Sequence, residues 1–315
     1  MNIIFMGTPE FAVPSLEIIL SSHHKISAVV TAPDKPRGRG LKPAQSAVKE
    51  FALKHDLNIL EPELLKDGSF ADDIRNLLPD LIVIVAFRIL PREIFNIPKY
   101  GSVNLHASVL PKYRGAAPIN WALINGESET GVTTFFLNDK VDTGNIILTE
   151  KCGITEDDDA GSLHDKLAVL GANALMSTIN LIEMTNGNVP VYEQLEAEYT
   201  KAPKIFKEFC RINWDNSTMT VHNFIRGLSP HPGAYAYHQG KSLKIFKTRC
   251  SSVPGTETSS AEAPGTIKLF NNAMFISCAD GPLEILELQL EGRKRMPVSE
   301  FMKGYKIRNG EVLGV

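Results

Sequence analysis

The chain has 315 residues, 43% of them hydrophobic and 22% charged, with a formal net charge of −3. That length and balance predict about two globular domains and exclude a disordered or fibrous chain. Cys152, Cys210, Cys250 and Cys278 lie far apart with no Cys-x-x-Cys, which suits reduced, half-buried thiols better than a disulfide framework or a zinc site. No charged-then-apolar leader opens the chain, and no apolar run approaches the roughly 18 residues of a membrane span, so a cytoplasmic protein with no membrane partner is expected. The charge is uneven: residues 206–315 carry +4 and residues 1–205 carry −7. A basic second half points weakly to a polyanionic partner, and a scatter of solvated lysines explains it as well.

In chain order, Asn2–Met6 is an apolar strand that Gly7 and Pro9 stop. Glu10–Ser21 has helical spacing, and Ile26–Ala32 is a second strand. Asp34-Lys35-Pro36-Arg37-Gly38-Arg39-Gly40-Leu41-Lys42-Pro43 packs four cations among glycines and prolines, and is expected to form neither helix nor strand. Ala44–His55 and Phe70–Leu78 read as helices, and Asp80–Ala86 as a strand buried on both faces. Ser102–Leu105, Val132–Leu137 and Asn145–Leu148 are further strands, and Ser162–Glu183 is a long helix. Strands alternating with helices predict an α/β, Rossmann-like, mostly parallel sheet with helices on both faces. Beyond a linker at 190–205, short β runs between turns predict a smaller β-barrel over 206–315, with Ser251–Pro264 as a low-complexity loop. Gly-x-Gly-x-x-Gly and Gly-Lys-Ser/Thr are absent, which weighs against a dehydrogenase or an NTPase. Ligands of such sheets sit beyond the carboxyl ends of strands, where Gly7, Ala86, Asn104 and His106 are all expected.

The stretch richest in chemistry is Val103-Asn104-Leu105-His106-Ala107-Ser108-Val109-Leu110-Pro111-Lys112-Tyr113-Arg114-Gly115. Asn104 and His106 are two apart on a strand, so they share a face. A histidine can exchange a proton near neutral pH, and an asparagine amide can donate to a developing oxyanion. Asp142, in the turn Val141-Asp142-Thr143-Gly144, can orient the imidazole or stabilise its charged form. With no Ser or Cys nucleophile in the set, transfer to an amine that brings its own lone pair is the implied chemistry. A lone Asn-x-His is more often a cap and a satisfied histidine; the whole stretch with Asp142 favours catalysis.

Asn104 to Gly115, followed by Ala-Ala-Pro-Ile, Asp-Thr-Gly, the opening Phe5-Met6-Gly7-Thr8-Pro9-Glu10-Phe11-Ala12 and Gly227-Leu228-Ser229-Pro230-His231-Pro232-Gly233-Ala234, resembles the folate-dependent formyltransferases from end to end. The resemblance implies 10-formyltetrahydrofolate as donor, the amino group of an initiator methionyl-tRNA as acceptor, and a catalytic domain over 1–189. It also implies an oligonucleotide-binding-like barrel at 206–315 that binds tRNA. Asn104, His106 and Asp142 match the catalytic residues. Ser108, Val109, Leu110 and Pro111 match the folate-contacting segment. Ala86, Phe87, Arg88, Ile89 and Leu90 match the loop around the pterin ring, and Arg88 departs from the small residue usual there. His231 likewise replaces the usual aromatic of its segment.

Lys35, Arg37, Arg39 and Lys42 fall in the family's inserted loop, which engages the tRNA acceptor end, with Arg39 at the key arginine. Phe11 is either a lining of the methionyl pocket or a core phenylalanine. Ser108 reads as a loop hydrogen-bonder and Arg114 as structural. The amine proton has two candidate acceptors, His106 and a water held by Asp142. A monomer that needs no metal is expected. Two rivals stand: a formyltransferase for a small amine such as an amino-sugar nucleotide, and a non-catalytic RNA-binding relative. A basic β-rich second half speaks against the small-amine enzyme of nucleotide synthesis, and retention of Asn104, His106 and Asp142 speaks against the non-catalytic relative.

Overall fold

A computed structural model describes residues 1–37, 42–250 and 262–314. The chain forms two compact units, one of 1–118, 129–153 and 164–202, the other of 119–128, 154–163 and 203–315.

The first unit is built on a seven-stranded sheet. Its strands are β1 (Asn2–Gly7), β2 (Lys25–Val30), β5 (Ile59–Leu60), β6 (Leu81–Val85), β7 (Ser102–His106), β9 (Glu129–Phe136) and β10 (Ile146–Gly153). Two short strands fall outside this sheet among the first five: β3 (Lys35–Arg37) and β4 (Lys42–Ala44). A further pair, β8 (Arg114–Gly115) and β11 (Lys201–Ala202), runs parallel. The order across the sheet is β10-β9-β7-β6-β1-β2-β5. β1, β2, β5, β6 and β7 pair in parallel, whereas β9 and β10 run antiparallel at one edge. The chain runs from β1 to β2 on one side and then crosses to β6 on the other, so the direction of winding reverses between β1 and β6. Strand ends at such a reversal open a crevice where ligands bind.

Helices cover both faces of this sheet, as the doubly buried strands predict. Ile4, Met6, Ile82 and Ile84 pack with Phe70 and Ile74 of α3 (Gly68–Asn76) and with Ile94 and Phe95 of α4 (Arg92–Phe95). On the opposite face α6 (Ala160–Met184) bonds Thr178 Oγ1 to Thr134 Oγ1 of β9 at 2.7 Å. Gly171 of α6 lies against Leu105 so closely that a Cβ there would stand 2.8 Å from Leu105 Cδ2. Ahead of these come α1 (Val13–Leu20) and α2 (Ala47–Lys54). α2 starts three residues later than periodicity alone suggests, because Ser46 caps it by accepting from Lys49 N at 3.0 Å.

Two expectations are corrected here. α6 is 25 residues long, and by length and composition alone it is long and apolar enough to cross a membrane. Leu167, Leu175, Ile179 and Ile182 are buried along it, the pattern of a core helix. Within the cationic segment the described residues do form strands: β3 and β4 pair antiparallel, with Lys35 opposite Ala44 and Arg37 opposite Lys42. Proline fixes φ near the extended region and its missing N–H is tolerated on an edge, so Pro36 and Pro43 can face one another in this isolated ladder.

The second unit holds α7 (Thr218–Leu228) and α8 (Val298–Gly304), with α5 (Pro118–Ile124) supplied almost wholly by its 119–128 segment. Its sheet runs β12 (Ala234–His238), β13 (Lys241–Cys250), β16 (Pro282–Leu290), β15 (Ala273–Ser277), β14 (Ile267–Phe270), and β17 (Met296–Pro297) pairs with β16. The C-terminal tail closes the two edges: Gly314 bridges Tyr237 of β12, and Val312 bridges Thr266 just before β14. Val221, Ile225, Leu228, Leu243, Ile276 and Leu288 form the core beneath α7. Segments 119–128 and 154–163 are tied in by polar contacts, Asn120 Nδ2 to Gly227 O at 2.7 Å and Arg226 Nη1 to Thr155 O at 2.9 Å. Residues 190–202 are no loose tether, since Tyr192 pairs with Ile146 and Ala202 with Gly115 in the first unit. Of the low-complexity loop expected at 251–264, residues 251–261 lie outside the described residues.

The cysteines are not uniformly half-buried. Cys210 and Cys278 are buried, Cys152 is intermediate and Cys250 is exposed. Burial, reinforced by the Asp280 carboxylate, pushes the Cys278 thiol up to about 12. Because only the thiolate reacts, Cys278 has roughly one reactive molecule in 10⁴ at pH 8. A chromogenic disulfide reagent should therefore modify the exposed Cys250 in the native protein well before Cys278, which should react only after denaturant is added. Peptide mapping that found Cys278 labelled as fast as Cys250 would contradict this burial.

Candidate active site

β7 delivers Asn104 and His106 to the crevice. In the ladder, Asn104 lies beside Ile84 on one side and Phe135 on the other, and His106 lies beside Thr133. Asn104 is half-buried, and among the described residues its amide has no hydrogen-bond partner. Its neighbour Leu105 faces α6, so Asn104 and His106 share the other face, past which the strand ends open.

The loop after β7 then folds back on His106. His106 Nε2 donates to the Tyr113 carbonyl at 2.8 Å. A carbonyl only accepts, so this bond puts a proton on Nε2. Nδ1 is left facing Asp142 Oδ2 at 3.9 Å, with both side chains largely buried. The loop is itself pinned from within. Ser108 Oγ donates to Lys112 O at 2.6 Å, Thr133 Oγ1 donates to Ser108 O at 2.7 Å, and Leu110 N donates back to Thr133 Oγ1 at 3.1 Å. Ser108 is thus a buried loop hydrogen-bonder.

Asp142 is held by backbone. Its Oδ2 accepts from Gly115 N at 2.9 Å, and Gln194 Nε2 donates to both Asp142 O at 2.9 Å and Gly144 O at 2.8 Å. Arg114 anchors that glutamine, with Nε donating to Gln194 Oε1 at 2.9 Å and Nη1 to Glu196 Oε1 at 2.9 Å. Its guanidinium also lies over Tyr199, 4.9 Å from the ring centre. Arg114 is therefore structural in this fold. Gly115 has φ +128 and passes so close to β11 that a Cβ would stand 2.5 Å from Ala202 O. Only glycine fits there and still presents its N–H to Asp142.

The other sequence-derived residues fall in three places. Ala86 to Leu90 leave the end of β6, next to β7 in the sheet, with Ala86 at φ +49. Phe87 is half-buried, Ile89 exposed and Leu90 buried. Arg88 turns away to donate to Pro62 O at 2.7 Å and Glu63 O at 3.0 Å, and burial lowers its pKa from the usual arginine range. The departure from a small residue is thus accommodated by carbonyls of a neighbouring loop. Val109, Leu110 and Pro111 run directly on from the His106 strand, with Leu110 and Pro111 buried. Phe11 is buried and meets the His164 ring edge-on at 5.3 Å, which fits its reading as a packed phenylalanine. Lys35, Arg37 and Lys42 lie on the β3–β4 hairpin, whereas Arg39 lies outside the described residues. One group among the described residues has the ligand spacing of a metal site: His23, His24 and Glu183, at the opposite end of β1. There the Met1 nitrogen donates to Glu183 Oε1 at 3.2 Å.

The family described as Formyl transferase matches residues 1–179, and its C-terminal domain matches residues 204–306. In the solved structures the fold is similar to a sugar 3N-formyl transferase, WlaRD, with a TM-score of 0.65, 21% identity and 93% of this chain and 99% of that one covered. HypX from Aquifex aeolicus, solved with tetrahydrofolic acid, is similar at a TM-score of 0.64 and 18% identity, covering 98% of this chain and 50% of that one. The fold is therefore that of the formyltransferases. A methionyl-tRNA formyltransferase of Acetivibrio thermocellus is 46% identical over the full length of both chains. The chain belongs to the methionyl-tRNA formyltransferase family.

Sequence reasoning missed Gln194, Thr133 and Thr200, whose hydroxyl accepts from Tyr113 N at 2.8 Å. None stands in a motif; only their distant bonds to the 107–115 and 142–144 loops mark them. Gln194→Ala would strand two carbonyls and the Arg114 Nε, a loss of about 1–3 kcal/mol for such buried groups. It should lower stability by that amount in urea melts. It should also reduce turnover more than substrate affinity, because the Asp142 loop loses its tether. Turnover equal to that of the parent protein would show that the tether does not govern Asp142.

Proposed function

We propose that this protein transfers the formyl group of 10-formyltetrahydrofolate to the free amino group of initiator methionyl-tRNA, with Asn104, His106 and Asp142 as the catalytic residues. One observation carries the assignment of roles. An Asn104 amide with no hydrogen-bond partner among the described residues shares a face with a histidine whose Nε2 proton is already committed to the Tyr113 carbonyl. The basic site left on His106 is Nδ1, the atom that faces Asp142.

The amine nitrogen attacks the formyl carbon, and the carbonyl π electrons move onto oxygen. Asn104 donates to that oxyanion, a role worth roughly 10²–10³ in turnover where it has been removed from other enzymes. The attacking nitrogen becomes cationic and gives its proton to His106 Nδ1. The resulting imidazolium keeps Nε2–H on the Tyr113 carbonyl and turns Nδ1–H toward the Asp142 carboxylate. Collapse of the tetrahedral centre breaks the bond to the folate nitrogen, which takes up a proton as it leaves. The segments 86–90 and 108–111 hold the folate, and the net-positive residues 206–315 with Lys35, Arg37, Arg39 and Lys42 hold the tRNA. The fold likeness to a sugar formyltransferase leaves an amino-sugar nucleotide as the second acceptor to test, and the +4 charge of residues 206–315 favours tRNA.

Formyl-folate offered with charged initiator tRNA, uncharged tRNA and an amino-sugar nucleotide should yield product only with the first. Formylation of the sugar alone would overturn the reading. Asn104→Ala, His106→Ala and Asp142→Ala should each fold and lower turnover by roughly 10²-fold or more. Near-parental turnover of His106→Ala would remove its role as the base.

A further inference from the structure

The β3–β4 hairpin is tied to the first turn of α2 by both of its legs. On the returning leg, Ser46 lies two residues beyond β4 and accepts from Lys49 N at 3.0 Å, while its hydroxyl pairs with Thr31 Oγ1 at 2.7 Å. On the leading leg, Asp34 immediately precedes β3, and its Oδ1 lies 2.9 Å from Lys49 Nζ. The same Nζ lies 2.9 Å from Glu61 Oε2, and Glu61 directly follows β5 at the sheet edge. One residue thus binds both legs, the returning one through its backbone N–H and the leading one through its side chain. Lys49 is 14% exposed and each carboxylate 29%, so water screens this three-membered group only in part.

We propose that Lys49 is a positioning residue that aims the cationic hairpin, and with it the acceptor end of the tRNA, toward the strand-end crevice. The proposal rests on the reading of the hairpin as a tRNA-binding arm. Physically, the ammonium cancels the repulsion between Asp34 and Glu61, which without it would face each other as two half-buried carboxylates. Loss of the cation drives Asp34 off the sheet edge and frees the leading leg. The Ser46 cap survives, because its bond is to the backbone of residue 49, and α2 remains in place. An arm free to swing can still meet tRNA but presents it over many orientations, so affinity for tRNA falls while folate binding does not.

Lys49→Met should raise KM for charged tRNA about tenfold and leave the folate Kd, the saturating turnover and the melting temperature close to those of the parent. Lys49→Arg, which keeps the charge, should restore KM to within about threefold. A variant with Lys35, Arg37 and Lys42 all replaced by alanine tests the arm itself and should also raise KM for tRNA. Adding Lys49→Met to that variant should change little, because two residues acting through one arm are not additive. If the triple variant is impaired and Lys49→Met alone is silent, or if the two effects add in full, the clamp is overturned and the arm stands. A silent triple variant overturns the arm, and the clamp with it.

Discussion

The bond from His106 Nε2 to the Tyr113 carbonyl is the constraint on which the site depends. It fixes which nitrogen carries the proton and stops the ring from turning over, since a flipped ring would set carbon against the carbonyl. It exists only because the chain from Ala107 to Gly115 doubles back over the end of β7. The same loop ends in Gly115, whose N–H holds Asp142. The placements of His106 and Asp142 and their separation are therefore set by one fold-back of nine residues, rather than independently. The supports converge on it from β9 through Thr133, from the 194–200 segment through Gln194 and Thr200, and from β11 through Ala202.

Sheet topology explains why this loop stands at the strand-end crevice. The winding reverses between β1 and β6, and β7 follows β6, so three parallel strands end side by side. Alternation along β7 gives Leu105 to the α6 side and Asn104 and His106 to the other. The antiparallel β9 then covers the far side of β7 and brings Thr133 level with His106. A parallel strand in that place would run the opposite way, and Thr133 could not hang from it in the same register. The mixed edge of the sheet is thus part of the site.

Much of this was legible in the sequence, and the reasons differ by element. The run Leu81–Val85 and the alternation in β7 follow from burial on two faces and on one, so their existence was fixed by local pattern. Asn104, His106 and Asp142 stand out in the sequence because they sit in a long punctuated stretch and a turn. The β3–β4 pair is hidden from local pattern because proline and glycine usually break strands, whereas Pro36 and Pro43 sit opposite one another in an isolated two-stranded ladder. Gln194 was invisible because its role is to span 50 residues to Gly144 and 80 to Arg114. Segments 119–128 and 154–163 join the second unit through side-chain bonds that no local pattern encodes.

Three of the nine non-glycine residues with positive φ among the described residues lie at the candidate site. Ala86, Tyr113 and Asp142 all have φ between +49 and +61, and they end β6, close the fold-back and carry the carboxylate. Asp tolerates the left-handed region comparatively well; Ala and Tyr do not, and such residues cost on the order of 1–3 kcal/mol each. Glycine at 113 would relieve the strain, but it would also free the peptide whose carbonyl holds His106. The Tyr113 side chain is 5% exposed, so its burial helps to offset the unfavourable φ and keeps that peptide in one orientation. A strained but anchored residue holds its carbonyl in place more firmly than a relaxed, mobile one would. At Gly115 the opposite solution applies, because there the close approach of Ala202 leaves no room for a side chain to act as anchor, and the parallel β8–β11 ladder does the holding. Two neighbouring positions, Tyr113 and Gly115, thus reach rigid backbone by different means, one through a buried ring and the other through a strand pair, and each then immobilises one member of the His106–Asp142 pair.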